Sequence, residues 1–307
     1  MARQSQDVLA EIDRLEGRSI SSFARFFARL DRMVYKDEEE FLESASLSME
    51  ERVDLVHRLN DVNRKSGYHT AFLMELEKLI RNAYPEGKPQ TPVRILDIGV
   101  GGGELLERIH QWAQKKRIPV ELFGIDVDPA FLAKTEEKLS EKKIPAKLIL
   151  GNGQSLKPLE NESVDIVVSS YVVHHVRDLR TLASFFEEIR RVSKAGWLIV
   201  DMERRFWGPP FAWFSGYLFG ATRALVWDGV KSIRRAYTAE EINLVLRNCL
   251  APGAWKGEMQ CEPHPVFPYW IVRGIKMPLP RPSFIAPLTS SGASHSSNGQ
   301  RARHRSA

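Results

Sequence analysis

From Pro92 onward, short β-branched runs alternate with amphipathic stretches, and no other pattern in this 307-residue chain narrows its fold as much. Strands are predicted at about 93–98, 119–125, 146–150, 164–170 and 196–202, with helices at about 103–116, 129–141 and 179–194 between them. Runs such as Val164-Asp-Ile-Val-Val-Ser-Ser170 are apolar on both faces, which suits strands buried between two helical layers. Strands that alternate with helices pair in parallel, so a doubly wound α/β sheet is expected. Trp255 to Cys261 and Phe267 to Ile275 read as a final antiparallel pair, which brings the sheet to seven strands.

Around this sheet, residues 1–91 read as a helical extension, 92–277 as the sheet domain and 278–307 as a tail. Ser48-Met-Glu-Glu51 is a capping box opening one N-terminal helix, and a second runs from about Gly67 to Arg81. Lys36-Asp-Glu-Glu-Glu40 reads as a solvated face. Asp128 and Asp178 sit where N-caps are wanted, Gly196 is expected to stop the helix that Asp178 opens, and Thr238-Ala-Glu-Glu241 caps a last helix reaching about Cys249. The tail is rich in Pro and Ser and lacks the apolar content to fold, so it is expected to be disordered.

Charge adds a constraint on partners. The net +5 divides into −4 over residues 1–203 and +9 over residues 204–307, so the sheet is not an evenly basic surface of the kind that tracks nucleic acid. Two cysteines, Cys249 and Cys261, make no disulfide framework, and Cys261 with His264 supplies only two of the four ligands of a structural zinc, so no metal is expected. No signal-like apolar run follows Met1, and Phe206 to Thr222, the longest uncharged apolar stretch, carries Pro209-Pro210 and three glycines, which argues against a membrane span. A cytoplasmic protein is expected.

The turn after the first strand carries the chemistry. In Arg94-Ile-Leu-Asp-Ile-Gly-Val-Gly-Gly-Gly-Glu104 a strand ends at Asp97 and glycines let the backbone turn sharply and approach a ligand. A dinucleotide fingerprint started at Gly99 would need Gly where Glu104 stands. The pattern Asp97-x-Gly99-x-Gly101-x-Gly103 resembles the first motif of class I S-adenosylmethionine-dependent methyltransferases, whose fold is Rossmann-like. Leu122 to Asp128, with Asp126 ending the second strand, Leu148 to Gln154, with Asn152 where the family more often has Asp, and Ser163 to Val176 follow in the family's order. The last is similar to the ubiquinone and menaquinone biosynthesis type. The resemblance implies S-adenosyl-L-methionine as cofactor, with Asp97 and the backbone of Gly99, Gly101 and Gly103 at the methionine end. It also implies Asp126 at the ribose, Asn152 with Gly153 at the adenine, and the Ser169 carbonyl toward the methionine amine.

Methyl transfer needs an acceptor held in line and, for a hydroxyl or acidic carbon, one base. The ends of the fourth and fifth strands offer His174, His175, Tyr171 and Glu203, of which the histidines have the most suitable pKa and read equally well as structural. After the fifth strand an insertion, 203–236, holds eight aromatics between Phe206 and Trp227, beside Arg204 and Arg205. With Tyr171, Arg204 and Trp207 as substrate contacts, it would close as a lid over a lipophilic acceptor such as a polyketide, quinone precursor or phenolic or enolic lipid. Plain packing of the aromatics on the core and docking at a bilayer surface are the other readings. Two competing functions remain at this point: a methyltransferase-like protein that binds without turnover, and an NAD-dependent oxidoreductase.

Overall fold

The computed structural model describes residues 22–44, 46–85, 89, 91–248 and 257–276. Cys249, the start of the predicted Trp255 strand, the residues before Ser22 and the tail from Pro278 lie outside the described residues. Helix α1 (Ser22–Met33) leads into an extended segment and a short 3-10 turn (Phe41–Glu43) where the sequence suggested continuous helix; α2 (Met49–Lys65) and α3 (Tyr68–Ala83) follow. Ser48 opens α2 as predicted: its side chain accepts from the Glu51 N–H at 3.2 Å while Glu51 takes the Ser48 N–H at 2.8 Å.

The α/β body runs β1 (Val93–Ile98), α4 (Glu104–Lys116), β2 (Val120–Asp126), α5 (Pro129–Glu141), β3 (Ala146–Leu150), β4 (Val164–Ser170), α6 (Leu179–Val192) and β5 (Ser193–Met202). A helical hairpin, α7 (Gly208–Leu218) and α8 (Arg223–Arg235), precedes α9 (Ala239–Asn248), β6 (Gly257–Pro263) and β7 (Tyr269–Lys276). The sheet order is β3-β2-β1-β4-β5-β7-β6, with β1 to β5 parallel and β7 antiparallel to both β5 and β6. This is the seven-stranded Rossmann-like sheet expected from the sequence.

Alternation along each strand divides the core into two layers. Leu96, Ile98, Val167, Trp197 and Ile199 pack with α6 and α9 on one face, while Ile95, Ile166, Val168, Leu198 and Val200 pack with α3 and α4 on the other. All ten are at most 1–2% exposed, and burial of each such side chain contributes about 1.5–3 kcal/mol. Gly196 does not stop α6. It lies inside β5, where a Cβ would come 2.2 Å from the Gly274 carbonyl oxygen, so the close approach of β7 is what excludes a side chain. No helix among the described residues is long and apolar enough to cross a membrane.

Candidate active site

The sheet order reverses between β1 and β4, and open α/β sheets bind ligands outside the carboxyl ends of the strands at such a point. A cleft of about 670 Å³ opens there, lined by Asp97, Gly99, Gly101, Asp126, Asn152 and Gly153 among others. Gly99 makes the turn possible: its φ is +74°, and a Cβ would sit 2.3 Å from Val172 Cγ2. Asp126 is locked to that turn, one oxygen accepting from the Gly101 N–H at 2.8 Å and the other from the Asp128 N–H at 3.0 Å. Each oxygen keeps a lone pair for a ligand.

Asp97 differs in kind. Its carboxyl is 2% exposed, on the cleft wall, and among the described residues no donor reaches it. Burial, reinforced by the charge of Asp126, raises its pKa well above the usual carboxylate range. A buried acid left without a partner beside a cleft is completed by a ligand that donates or is cationic. Glu104, by contrast, is paired at 3.0 Å with both Lys138 and Arg108.

Two of the residues implied by the resemblance lie behind the wall. Gly103 is the N-cap of α4, its N–H bonded to the Val100 carbonyl at 2.8 Å. Ser169 is fully buried between Ile98 and Ile199 in the ladder, with its hydroxyl donating to the Ile98 carbonyl at 2.9 Å. The strand must run one residue further to reach the cleft, so Ser170 and Tyr171 line it instead. Asn152 is exposed, and its side-chain oxygen already accepts from the Gln154 N–H at 2.9 Å, leaving it one lone pair.

The opposite wall is built from charges. His174 is 4% exposed; its Nδ1 lies 2.6 Å from Asp201 Oδ1, and its Nε2 lies 3.5 Å from Glu40 Oε1. Burial opposes its charge, but the two carboxylates prevail and raise its pKa to about 9. Glu40 is held down to about 2 in return, against the effect of its burial. Glu40 also meets the Arg235 guanidinium at 2.9 Å and the Ser232 hydroxyl. The acidic stretch read as a solvated face therefore ends in a carboxylate that is 6% exposed, because a buried histidine and arginine draw it in.

His175 stands at the cleft with its side chain 39% exposed, its Nδ1 2.7 Å from Glu43 Oε1. Burial of the ring and the charge of His174 lower its pKa, so it is neutral at pH 7. Glu40, His174 and His175 could each offer one ligand atom to a metal, but the Arg235 guanidinium already stands 2.9 Å from Glu40 and 2.7 Å from His175.

Three predicted residues are drawn elsewhere. Glu203 is 1% exposed, paired with Arg205 at 2.8 Å and accepting from the Ala239 N–H at 3.2 Å; burial raises its pKa to about 7 even against Arg205. Arg204 is buried on Glu241, the Ala236 carbonyl and the Tyr35 ring. Trp207 packs edge-on against Phe211. None of the three lines the cleft: Glu203 and Arg204 tie the start of the hairpin to α9 and the residues before it, and Trp207 packs within the hairpin. Tyr171 does reach it, with φ +57°, a conformation costly for an aromatic residue, held by stacking on Tyr68 at 4.6 Å and by its N–H to the Val200 carbonyl at 3.1 Å.

Beyond Tyr171 the cleft adjoins a second compartment of about 200 Å³, sharing Leu59, Asn63, Met202, Leu225 and Gly229 as walls. Phe211, Phe219 and Phe267 line it, and His264 is the one imidazole in it, with its pKa lowered by burial. Helix α7 thus presents Phe211, Ala212, Ser215 and Phe219 inward, while Trp213, Phe214, Tyr217 and Leu218 face outward and are exposed. His69, which the sequence reading passed over, also lines the main cleft: it is 8% exposed, its Nδ1 is without a partner, and burial lowers its pKa to about 4. A histidine on an apolar helical face carries no sequence signal that separates it from core packing.

Residues 96–200 match the family model described as a methyltransferase domain. No curated protein matches the chain. The plantazolicin methyltransferase BamL, solved with a triazolic desmethylPZN analog and SAH, shares the fold at TM-score 0.55 and 13% identity, over 84% of this chain and 100% of that one. The plantazolicin methyltransferase BpumL, solved with a monoazolic desmethylPZN analog and SAH, does so at TM-score 0.53 and 14% identity, over 83% and 99%. The order of the motifs and the seven-stranded sheet that carries them agree with that match, so residues 96–200 read as the methyltransferase domain of this chain.

Proposed function

We propose that the chain methylates an oxygen or carbon of a lipophilic small molecule, with His175 as the proton acceptor. The observation carrying this reading is the junction of two unlike spaces at Tyr171: a polar cleft with an unpartnered acid, and an apolar compartment lined by aromatic rings. The cleft fits the cofactor. Asp97 would take the ammonium of its methionine end, Asp126 the ribose hydroxyls, and Gly153 with Asn152 the adenine edge. When bound, the cofactor supplies a methyl group already activated by its sulfonium.

The chain's own work is then to orient the acceptor and hold a proton. His174, raised to about 9, keeps its proton at neutral pH and serves as a buried cation. His175, neutral and on the cleft wall, has a lone pair to offer. Helix α2, the segment around Glu40 and the α7–α8 hairpin act as the lid over the acceptor. The exposed outer face of α7 favours a second reading, in which the acceptor arrives from a bilayer; sedimentation with anionic vesicles tests that version alone.

Calorimetry on the full chain should show SAH binding at micromolar Kd and no heat with NAD. The reverse pattern would sink the reading. With a lipid-extract acceptor and labelled cofactor, His175→Ala should lose about 10²- to 10⁴-fold in kcat while its SAH affinity stays unchanged.

A further inference from the structure

We infer that Glu43 is the positioning residue of the proton acceptor: it takes the Nδ1–H of His175 and thereby leaves the Nε2 lone pair for the substrate. The inference rests on the proposed role of His175 and names a partner far outside residues 96–200.

The argument starts from how firmly Glu43 is held. Its N–H donates to the Glu40 carbonyl at 3.1 Å, its Oε2 accepts from the Glu40 N–H at 2.9 Å, and the intervening Phe41 and Leu42 N–H groups both donate to Asp228. The Arg235 guanidinium, 1% exposed, then forks onto the same carboxylate, Nη1 to Oε2 at 2.7 Å and Nη2 to Oε1 at 3.1 Å. Burial works against the charge of Glu43, yet His175, Arg235 and the Glu40 N–H hold its pKa far below the usual range. A carboxylate fixed in this way has one direction left in which to accept, and His175 Nδ1 lies along it at 2.7 Å.

A competing contact has to be weighed. Arg235 Nη2 is also 2.7 Å from His175 Nδ1, and one ring nitrogen cannot both donate to Glu43 and accept from Arg235. The guanidinium settles the choice. Nη2 carries two hydrogens: one goes to Glu43 Oε1 at 3.1 Å, and for the other the Glu40 carboxylate, an ion-pair partner at 2.9 Å, competes with His175 Nδ1. Charged acceptors outcompete a neutral imidazole nitrogen, so the proton sits on Nδ1 and points at Glu43. Among the described residues Nε2 has no bonded partner.

The groups facing His175 are Glu40 and Glu43 from the 3-10 turn and the segment before it, His174 from its own turn and Arg235 from α8. Two carboxylates and two cations surround the ring, and Asp201 behind His174 is a third carboxylate that offsets the proton His175 takes up. In the step itself the acceptor's O–H or C–H proton moves to Nε2. The electron pair so freed is what the acceptor offers to the methyl carbon that the bound cofactor would supply, its sulfur keeping the carbon–sulfur pair.

The test needs no acceptor. In the full chain with ¹⁵N-labelled histidine and SAH bound, long-range ¹H–¹⁵N correlation should show His175 protonated on Nδ1 and bare on Nε2, with His175→Gln identifying the signal. In Glu43→Gln the ring keeps that tautomer, because the amide oxygen still accepts, but its titration should fall by about one pH unit or more with the loss of the charge. An Nε2–H tautomer in the parent chain, or an unmoved titration in a Glu43→Gln chain that still binds SAH, would overturn the inference. If that variant does not fold, the parent tautomer decides alone. Normal turnover by His175→Ala would overturn the proton-acceptor reading instead, whatever the tautomer.

Discussion

The two walls of the cleft are made in opposite ways. The glycine-turn wall is local: Asp97, Gly99, Gly101, Asp126, Asn152 and Gly153 come from three successive strand ends, and a backbone turn does most of the shaping. The charged wall is assembled at long range. Glu43 reaches His175 across 132 positions and Arg235 across 192, and the key atoms are side-chain charges rather than backbone. Strand-end turns recur wherever this sheet is built, whereas a web of buried charges exists only when several distant elements close together. The first wall is thus a property of the fold and the second a property of this chain.

If the division is real, a lesion in the turn should abolish cofactor binding without reaching the charge web. Gly99→Ala forces a Cβ to 2.3 Å from Val172 Cγ2 at φ +74°, a strain of about 3 kcal/mol, so SAH affinity measured by calorimetry should fall about 100-fold. An unchanged affinity would mean that the turn does not touch the ligand.

The charge web should instead reveal itself through pH. His174 is raised from its ordinary 6.5 to about 9, so its stabilisation is complete below about pH 6.5 and is lost as pH rises through about 9. Denaturant melts over that window should lose about 3 kcal/mol, and His174→Gln should flatten the curve. Glu203, raised to about 7 from 4.5, acts in a lower window, and Glu203→Gln removes that part without altering the upper limb.

The smallest expected effect belongs to the apolar compartment. Phe211→Ala should remove about 1 kcal/mol of acceptor contact, read as about a fivefold drop in kcat/KM toward a lipid-extract acceptor at constant SAH affinity. An equal loss for a small polar acceptor would remove the compartment from the binding path.

The same division explains which residues could be read beforehand. Asp97, Gly99, Gly101 and Asp126 were legible because their spacing within one strand–turn–helix unit already places them together. Ser169, implied by the resemblance through its backbone carbonyl, lies in the ladder, while Ser170 and Tyr171 after it line the cleft. Glu203 and Arg204 are tied instead to Ala239 and Glu241, and Trp207 packs on Phe211 within the hairpin. Glu40, Glu43 and Arg235 carried only the look of solvated charge. The one available hint was an acid-rich 37–43 set against basic Arg234-Arg235, and such runs are usually surface.

The sequence by itself determined the sheet, its two buried faces, the Gly99 turn and the order of the strand-end motifs, because periodicity and backbone preference are local and survive without knowledge of distant neighbours. Only the tertiary structure decided which histidine is a buried cation and which a neutral imidazole at the cleft. That outcome depends on Asp201 and Glu40 beside His174, the latter 134 positions away, and at His175 on burial and the charge of His174, none of which a local pattern specifies.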